Sequence, residues 1–582
     1  MHDRESRVAG HERTHIQLGN FRLALVTIAI ALGWLSFAKH HLSPWWMAVP
    51  LLVFIGVAAY HSRILRKRDL AQRAVSFYEN AIARVEDRWI GTGETGKRFD
   101  DPHHVYSSDL DLFGDGSLFQ RLSTARTRIG EATLAQWLLA PAPLHQIRAR
   151  QTAVAELRDN LDLREELAVL GEDAGVGVNP DELIGWAEAP IQLRSGWIPL
   201  VAPALAVFAM LAAFVWGYWG LATPFLVLML VEGAISFRLR KRMEAVFEGT
   251  EHAFHDLDLL AGVLARLEAG PVRAPELQAL EERLRTSETA ASQAIAQLRK
   301  LVDLINSRHN IFLKALDVPL MYSVQVAFAA ERWRQRHGRA LRAWLEAVGE
   351  IEALLSIAAY SYEHPDDPFP EFSDGLACFD GSDLGHPLLP AATCVRNDVA
   401  IGADARVLLV SGSNMSGKST LLRTIGLNTV LAMAGAPVRA RHLRLSMLRV
   451  GASIRVNDSL REGSSRFYAE ITRLRDVFNL AGVEPPLLFL LDELLQGTNS
   501  HDRRIGAAGV VSALVHRNAI GLVSTHDLSL TEIGTALNGH LRNVHFQDEI
   551  ENGRMKFDYK LRDGVVTKSN GLELMRIIGL EV

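Results

Sequence analysis

The sequence predicts an α/β P-loop NTPase domain at its C-terminal end, preceded by an all-α core and lever region with four predicted transmembrane helices in two hairpins. Three observations carry this. Residues 407–422 read VLLVSGSNMSGKSTLL, which is a strand, a G-x-x-x-x-G-K-[ST] loop and the start of a helix in the order a P-loop requires. Residues 487–493 read LLFLLDE, an apolar run that ends in two carboxylates. Apolar runs at 23–38, 45–60, 197–218 and 221–237 come in two pairs, each followed by a basic cluster.

A chain of 582 residues is too long for one core, so two or more domains are expected. The net charge of −5 provides no global basic field, and nucleic-acid contact would have to come from local patches. Cys378 and Cys394 are the only two cysteines, too few for a disulfide framework or a four-thiolate metal site, which fits a reducing compartment.

In chain order, residues 1–20 form a polar tail and 21–62 the first hairpin, with Trp34, Trp45, Trp46 and Tyr60 near the ends of its apolar runs, where amphipathic rings favour the headgroup region. A signal peptide is the competing reading of the first run; the second run and the lack of a small-residue cleavage pattern argue against it. RILRKR at 63–68 belongs on the cytoplasmic side, and RLRKR at 238–242 repeats it after the second hairpin at 196–237. Both termini and all the intervening soluble segments are then cytoplasmic, at an inner cell membrane. Glu232 lies near the basic end of the fourth run, and snorkelling to the interface is its expected fate.

Residues 63–108 read as a helical linker. Within it GTGETGK at 91–97 imitates a phosphate loop, but Arg98 stands where a metal-binding hydroxyl is needed and no strand precedes it, so an exposed loop is expected. Residues 109–195 open a helical core, with Leu118, Leu122, Ile129, Leu134, Trp137 and Leu138 near helical spacing and Pro141 closing the segment. Arg121, Arg126 and Arg128 read either as a basic face or, more plainly, as a solvated one. Residues 238–364 are helical in pattern, suited to a lever or a dimer surface. The segment HPDDPFPEF then reads as a linker, although its Phe369-Pro370-Glu371 resembles a DNA-wedging Phe-x-Glu pair.

The NTPase domain occupies 365–582. Gly412 and Gly417 let the loop curl so that the N–H groups from Ser413, Asn414, Met415, Ser416 and Thr420 surround an anion at a helix N-terminus. Lys418 is placed to neutralise the β- and γ-phosphates, and Ser419 to offer its hydroxyl to Mg²⁺. Asp492 ends a strand buried on both faces and is placed to meet the same Mg²⁺; Glu493 is the expected general base. AIGLVSTH at 519–526 is a third strand, ending in His526, either a γ-phosphate sensor or a capping histidine. LREGSSRFYAEI at 460–471 and LLQGTNSHD at 494–502 are expected to be small-residue loops.

Together, GSNMSGKST, GSSRFYAE, LLDE followed by GTNS, STH and the terminal TKSNGLELMRIIGL resemble the MutS family of DNA mismatch-repair ATPases, a branch of the ABC-type nucleotide-binding fold. RTRIGEATLAQWL looks like the start of that family's helical core, and Gly385-His386-Pro387 like the start of its ATPase domain. The resemblance covers roughly 109–170 and 340–582. It implies ATP and Mg²⁺ as cofactors, ATP hydrolysis, and a homodimer in which a signature loop containing Ser465 and Phe467 reaches the partner's nucleotide. It also places Asn397 near the adenine, while Cys394 stands where the family commonly has a base-stacking aromatic. Gln496 and Asn499 depart from the usual GRGTS-type loop. Before the core segment there is only a hairpin and a linker, which leaves no room for mismatch-reading and connector domains. The expected activity is therefore that of a membrane-anchored ATPase acting on duplex DNA through non-specific contacts, or alternatively on an unidentified protein or membrane partner.

Overall fold

The computed structural model describes residues 1–38, 43–171, 180–193, 196–248, 254–268, 272–285, 289–308, 310–455, 466–527, 539–551 and 554–566. Helices α1 (His2–Gly33) and α2 (Ala48–Val85) form the first hairpin. Pairing of Glu12 with Arg68, His15 with His61 and Arg22 with Phe54 sets them antiparallel, so the polar first twenty residues are helical and lie along α2.

The helical region continues with α3 (Leu118–Leu122), α4 (Arg128–Leu139), α5 (Leu144–Arg158), α6 (Leu161–Gly171) and α7 (Pro180–Glu188). The second hairpin is α8 (Ile198–Trp219) and α9 (Thr223–Phe247). Then come α10 (Phe254–Glu268), α11 (Pro275–Leu284), α12 (Ala291–Ser307), α13 (Ile311–Leu316) and α14 (Tyr322–Glu363). Ser117 and Thr127 cap α3 and α4 by accepting hydrogen bonds from the N–H groups of Gln120 and Gly130. The 42-residue α14 is the spine, packing against α4, α5, α7, α9, α11 and α12.

Among the described residues, three segments are long and apolar enough to cross a membrane: His2–Phe37, Trp45–Val85 and Ile198–Trp219. The fourth expected span differs. Its apolar residues fill only the first part of α9, which continues unbroken through the basic residues 238–242. Glu232 corrects the snorkelling expectation, because its carboxylate is fully buried and has no hydrogen-bond partner among the described residues. Helical phase explains this: Glu232, Leu239, Met243 and Val246 share one face of α9, and that face is turned inward.

The basic-face expectation at 121–128 also changes. Arg121 is buried over Trp89 and donates to Asp87 and His364, whereas Arg128 is exposed. Residues 91–97 form a loop in which Gly91, Gly93 and Gly96 take positive φ. Phe369 packs against the core instead of projecting as a wedge.

After α14 the chain becomes mixed α/β, as the sequence predicts. Strands β1 (Glu371–Phe372), β2 (Phe379–Leu384), β3 (Asn397–Ile401) and β5 (His442–Leu445) make a small sheet in the order β1-β5-β2-β3. The main sheet has the order β10-β9-β4-β8-β7-β6, from β4 (Val407–Ser411), β6 (Arg449–Ser453), β7 (Leu487–Asp492), β8 (Ile520–Thr525), β9 (Leu541–Glu551) and β10 (Arg554–Asp563). Its pairings are parallel except β9–β10. Helices α15 (Lys418–Ala434), α16 (Arg466–Asn479) and α17 (Ser500–His516) complete the domain. β4 and β8 are buried along their whole length, which explains their uninterrupted apolar character.

Candidate functional site

The 407–422 stretch folds as its pattern dictates. β4 ends at Ser411, the loop turns, and α15 begins at Lys418 with Gly417 as its N-cap at φ +104°, a conformation that favours glycine. Met415 also takes a positive φ of +70°, and its 85% exposed side chain stands at the cleft. The first N–H groups of α15 and the loop amides open onto a cleft of about 600 Å³.

Lys418 is almost fully buried, and its Nζ donates to the carbonyls of Gly412 (3.0 Å) and Ser413 (2.8 Å). Burial pushes its ammonium below the usual lysine range, opposed by the charges of Glu493, Asp492 and Asp548. A cation held inside the loop by two carbonyls is charge waiting for an anion. Ser419 Oγ donates to Asp492 Oδ2 at 2.5 Å, and Ser524 Oγ donates to Asp492 Oδ1. A hydroxyl and a carboxylate at a phosphate loop are hard oxygen donors, the set that Mg²⁺ takes together with phosphate oxygens and water. Ser419 and Asp492 therefore fit Mg²⁺, which would supply charge neutralisation at the phosphates.

Glu493 follows in the left-handed region at φ +50°, with its N–H donating to Ser524 O and Oγ, both at 3.2 Å. This turn swings its carboxylate out of the sheet. Oε1 lies 3.2 Å from His526 Nδ1 and 4.0 Å from Lys418 Nζ, and Oε2 accepts from Gln496. The strand ends of β4, β7 and β8 thus bring Lys418, Ser419, Asp492, Glu493 and His526 together from 109 residues of sequence.

Other sequence-assigned residues are placed differently. Asn397 lines the cleft, but its amide is engaged by β10: Nδ2 donates to Tyr559 O (3.0 Å) and Oδ1 accepts from Leu561 N (2.8 Å). These two bonds tie it to β10. Cys394 Sγ accepts from His386 N at 3.3 Å. Asn499 caps α17, accepting from Asp502 N at 2.9 Å, so the 494–502 loop ends in a helix start. The 460–471 segment is helical from Arg466 onward. Phe467 packs against Gly497, whereas Ser465 and the terminal motif at 567–580 lie outside the described residues.

The sequence reading missed three contributors. Tyr559, at φ +53°, projects from β10 into the cleft beside Gly417, bringing in an aromatic ring from 165 positions beyond Cys394. Ser524 fastens the Asp492–Glu493 turn. His386 is buried at the cleft wall, where desolvation and then Arg423 hold its pKa down to about 4; its Nδ1 accepts from Leu388 N at 3.2 Å. A positive-φ tyrosine on an antiparallel edge strand leaves no local sequence signal. The serine of STH was in view but had no role until β7 and β8 were paired.

Comparison with known proteins yields a family match over this region and several curated relatives. The family model for MutS domain V matches residues 408–581. The DNA mismatch repair protein msh3 of Aspergillus fumigatus is 32% identical over 257 residues, covering 42% of this chain and 22% of the relative. DNA mismatch repair protein MutS 2 of Halobacterium salinarum is 34% identical over 266 residues, covering 44% and 28%. DNA mismatch repair protein MutS of Lactococcus lactis is 28% identical over 307 residues, covering 51% and 34%. The chain thus spans between about a fifth and a third of the length of these curated relatives.

Proposed function

We propose that this chain is a membrane-anchored, MutS-like, dimeric ATPase whose nucleotide cycle moves the helical region and acts on duplex DNA without mismatch specificity, a reading supported by the match of residues 408–581 to MutS domain V. The observation that carries the reading is the convergence of Ser419, Asp492 and Glu493 beneath the Lys418 loop. In this reading the loop amides and Lys418 bind the triphosphate. Glu493, held by Gln496 and His526, accepts a proton from the attacking water, and His526 responds to loss of the γ-phosphate through its contact with Glu493. The large exposed apolar residues of α1, α2 and α8 support anchorage of the chain in a lipid bilayer, and the basic clusters at 63–68 and 238–242 support a cytoplasmic side for the domain.

DNA as the partner rests on the relatives, which are named for DNA mismatch repair. A second reading, ATP-driven work on a protein or membrane partner, is favoured by one observation: three membrane-length helices are part of the same helical body as the spine α14. The deciding experiment measures ATP turnover and duplex binding by the purified full chain. Lys418→Ala and Glu493→Gln should each abolish turnover, the latter with ATP still bound; normal turnover in both refutes the site. Duplex affinity that falls as salt rises supports DNA. No duplex binding at low salt, with or without ATP, transfers the ATPase to the second reading.

A further inference from the structure

A second cavity, of about 190 Å³, lies in the helical region away from the P-loop, between α2, the 91–97 loop, the α3–α4 connection, α6 and the spine α14. Three arginines line it, Arg84, Arg126 and Arg164, along with Gln120 and Ser123. Arg164 is the unusual member. It is 6% exposed, yet its Nε and Nη2 have no hydrogen-bond partner among the described residues. These two atoms form the same edge of the guanidinium, the fork that grips two oxygens of a carboxylate or phosphate side-on.

The neighbouring carboxylates are already engaged. Glu165, next in sequence, accepts from Tyr78 Oη (2.7 Å) and pairs with Arg4 (2.9 Å). Glu363 is held by both Nε and Nη2 of Arg84. Glu352 accepts from the N–H groups of Arg126 (3.3 Å) and Thr127 (3.2 Å) and from the Thr127 hydroxyl, and burial pushes it up to about 7. Glu94 is exposed at the rim. Meanwhile Arg164 stacks over Tyr362 at 4.7 Å, which fixes the plane of the guanidinium but satisfies none of its N–H donors.

Gln120 Nε2 and the Ser123 hydroxyl also lack partners among the described residues, and Gln120 is 4% exposed. Buried donors left unpaired are costly, and an arginine fork most of all. We propose that this cavity is a binding site for a small oxyanion, gripped side-on by Arg164 and contacted by Gln120 and Ser123. The shared chemistry is a pair of coplanar anionic oxygens, from either a phosphate or a carboxylate. Because the cavity touches both α2 of the first hairpin and the spine α14, an occupant would tie the two together.

The test uses the full chain in detergent with Lys418→Ala, which removes phosphate binding at the P-loop, and titrates inorganic phosphate and succinate by calorimetry. Saturable binding of at least one is expected, phosphate alone pointing to a phosphate source and succinate alone to a carboxylate source. Arg164→Lys keeps the charge but loses the fork and should weaken binding at least tenfold. If that protein does not fold, Gln120→Glu decides: it retains an acceptor for Gly116 N, puts an anion at the cavity wall, and should weaken binding by a similar factor. Absence of binding by both anions overturns the proposal, as does undiminished affinity in the folded variant.

Discussion

Asp109 Oδ2 accepts a 2.6 Å hydrogen bond from Arg473 Nη2 while its Oδ1 accepts from the backbone N–H groups of Ile454 and Arg455, each at 2.7 Å. Its own carbonyl accepts from Arg423 Nε on the P-loop helix at 3.0 Å. One residue of the helical region is thereby joined to α15, to α16 and to the end of β6. In the proposed nucleotide cycle, this residue would carry a change at the P-loop helix to the helical region.

Removing the charge from a buried, fully bonded pair leaves Arg473 without its counter-ion and typically costs about 3 kcal/mol. Asp109→Asn should lower the thermal midpoint accordingly, and adding Arg473→Met should recover part of the loss. Unfolding curves that match the unmodified protein would show that the contact carries no energy.

Tyr559 offers the ring at the cleft that Cys394 does not. Stacking of a base on an aromatic contributes about 1–3 kcal/mol, so Tyr559→Ala should weaken ATP affinity roughly tenfold or more, and Tyr559→Phe should stay near the original value. Binding of a fluorescent ATP analogue measures both; equal affinity in the alanine variant rules out a stacking role.

His386 is buried neutral, with a pKa of about 4 against an ordinary 6.5. Unfolding lets the imidazole take up a proton, so its contribution to stability is complete above about pH 6.5 and is lost progressively as the pH falls through 4, amounting to about 3 kcal/mol over the window. His386→Asn keeps an acceptor for Leu388 N and removes the titration. Its stability should therefore fall less than that of the unmodified chain between pH 7 and 4; parallel pH profiles would contradict the assignment.

Gly521 sits in β8 between β4 and β7, and a Cβ there would lie 2.1 Å from the carbonyl oxygen of Phe489. The obstructing atom is backbone, so the strands must separate. Gly521→Ala should cost about 2–3 kcal/mol and, by shifting Ser524, loosen the Asp492–Glu493 turn and slow ATP turnover. A variant with unaltered melting and turnover would mean that the sheet yields at this point.

The proposed anchorage predicts that reporters fused to the two ends of the chain are both read on the cytoplasmic side. A reporter at either end found outside the membrane would overturn this topology. Because α9 continues from apolar residues straight into 238–242, truncation of α8 is expected to release that hairpin from the membrane more readily than changes in α9.

The sequence by itself determined the parts whose physics is local. A strand buried on both faces must be apolar throughout, a phosphate loop needs glycine at fixed spacing, and carboxylates end an apolar run only where something uses them. The order β4–loop–α15 and the identities of Lys418, Ser419, Asp492, Glu493 and His526 were therefore legible in the chain. Helical periodicity likewise marked α3 and α4, but not the direction in which Arg121 or Glu232 would turn. Those orientations depend on which face the neighbouring helices cover, and that was decided by the packing of α14, α8 and α9. The tertiary structure alone brought Tyr559 across to the cleft, tied Asn397 to β10, fastened Asp109 to Arg473 and left the Arg164 fork without a hydrogen-bond partner among the described residues. Each of these depends on residues far apart in sequence, whose distance is fixed only when sheet order and helix packing close around them.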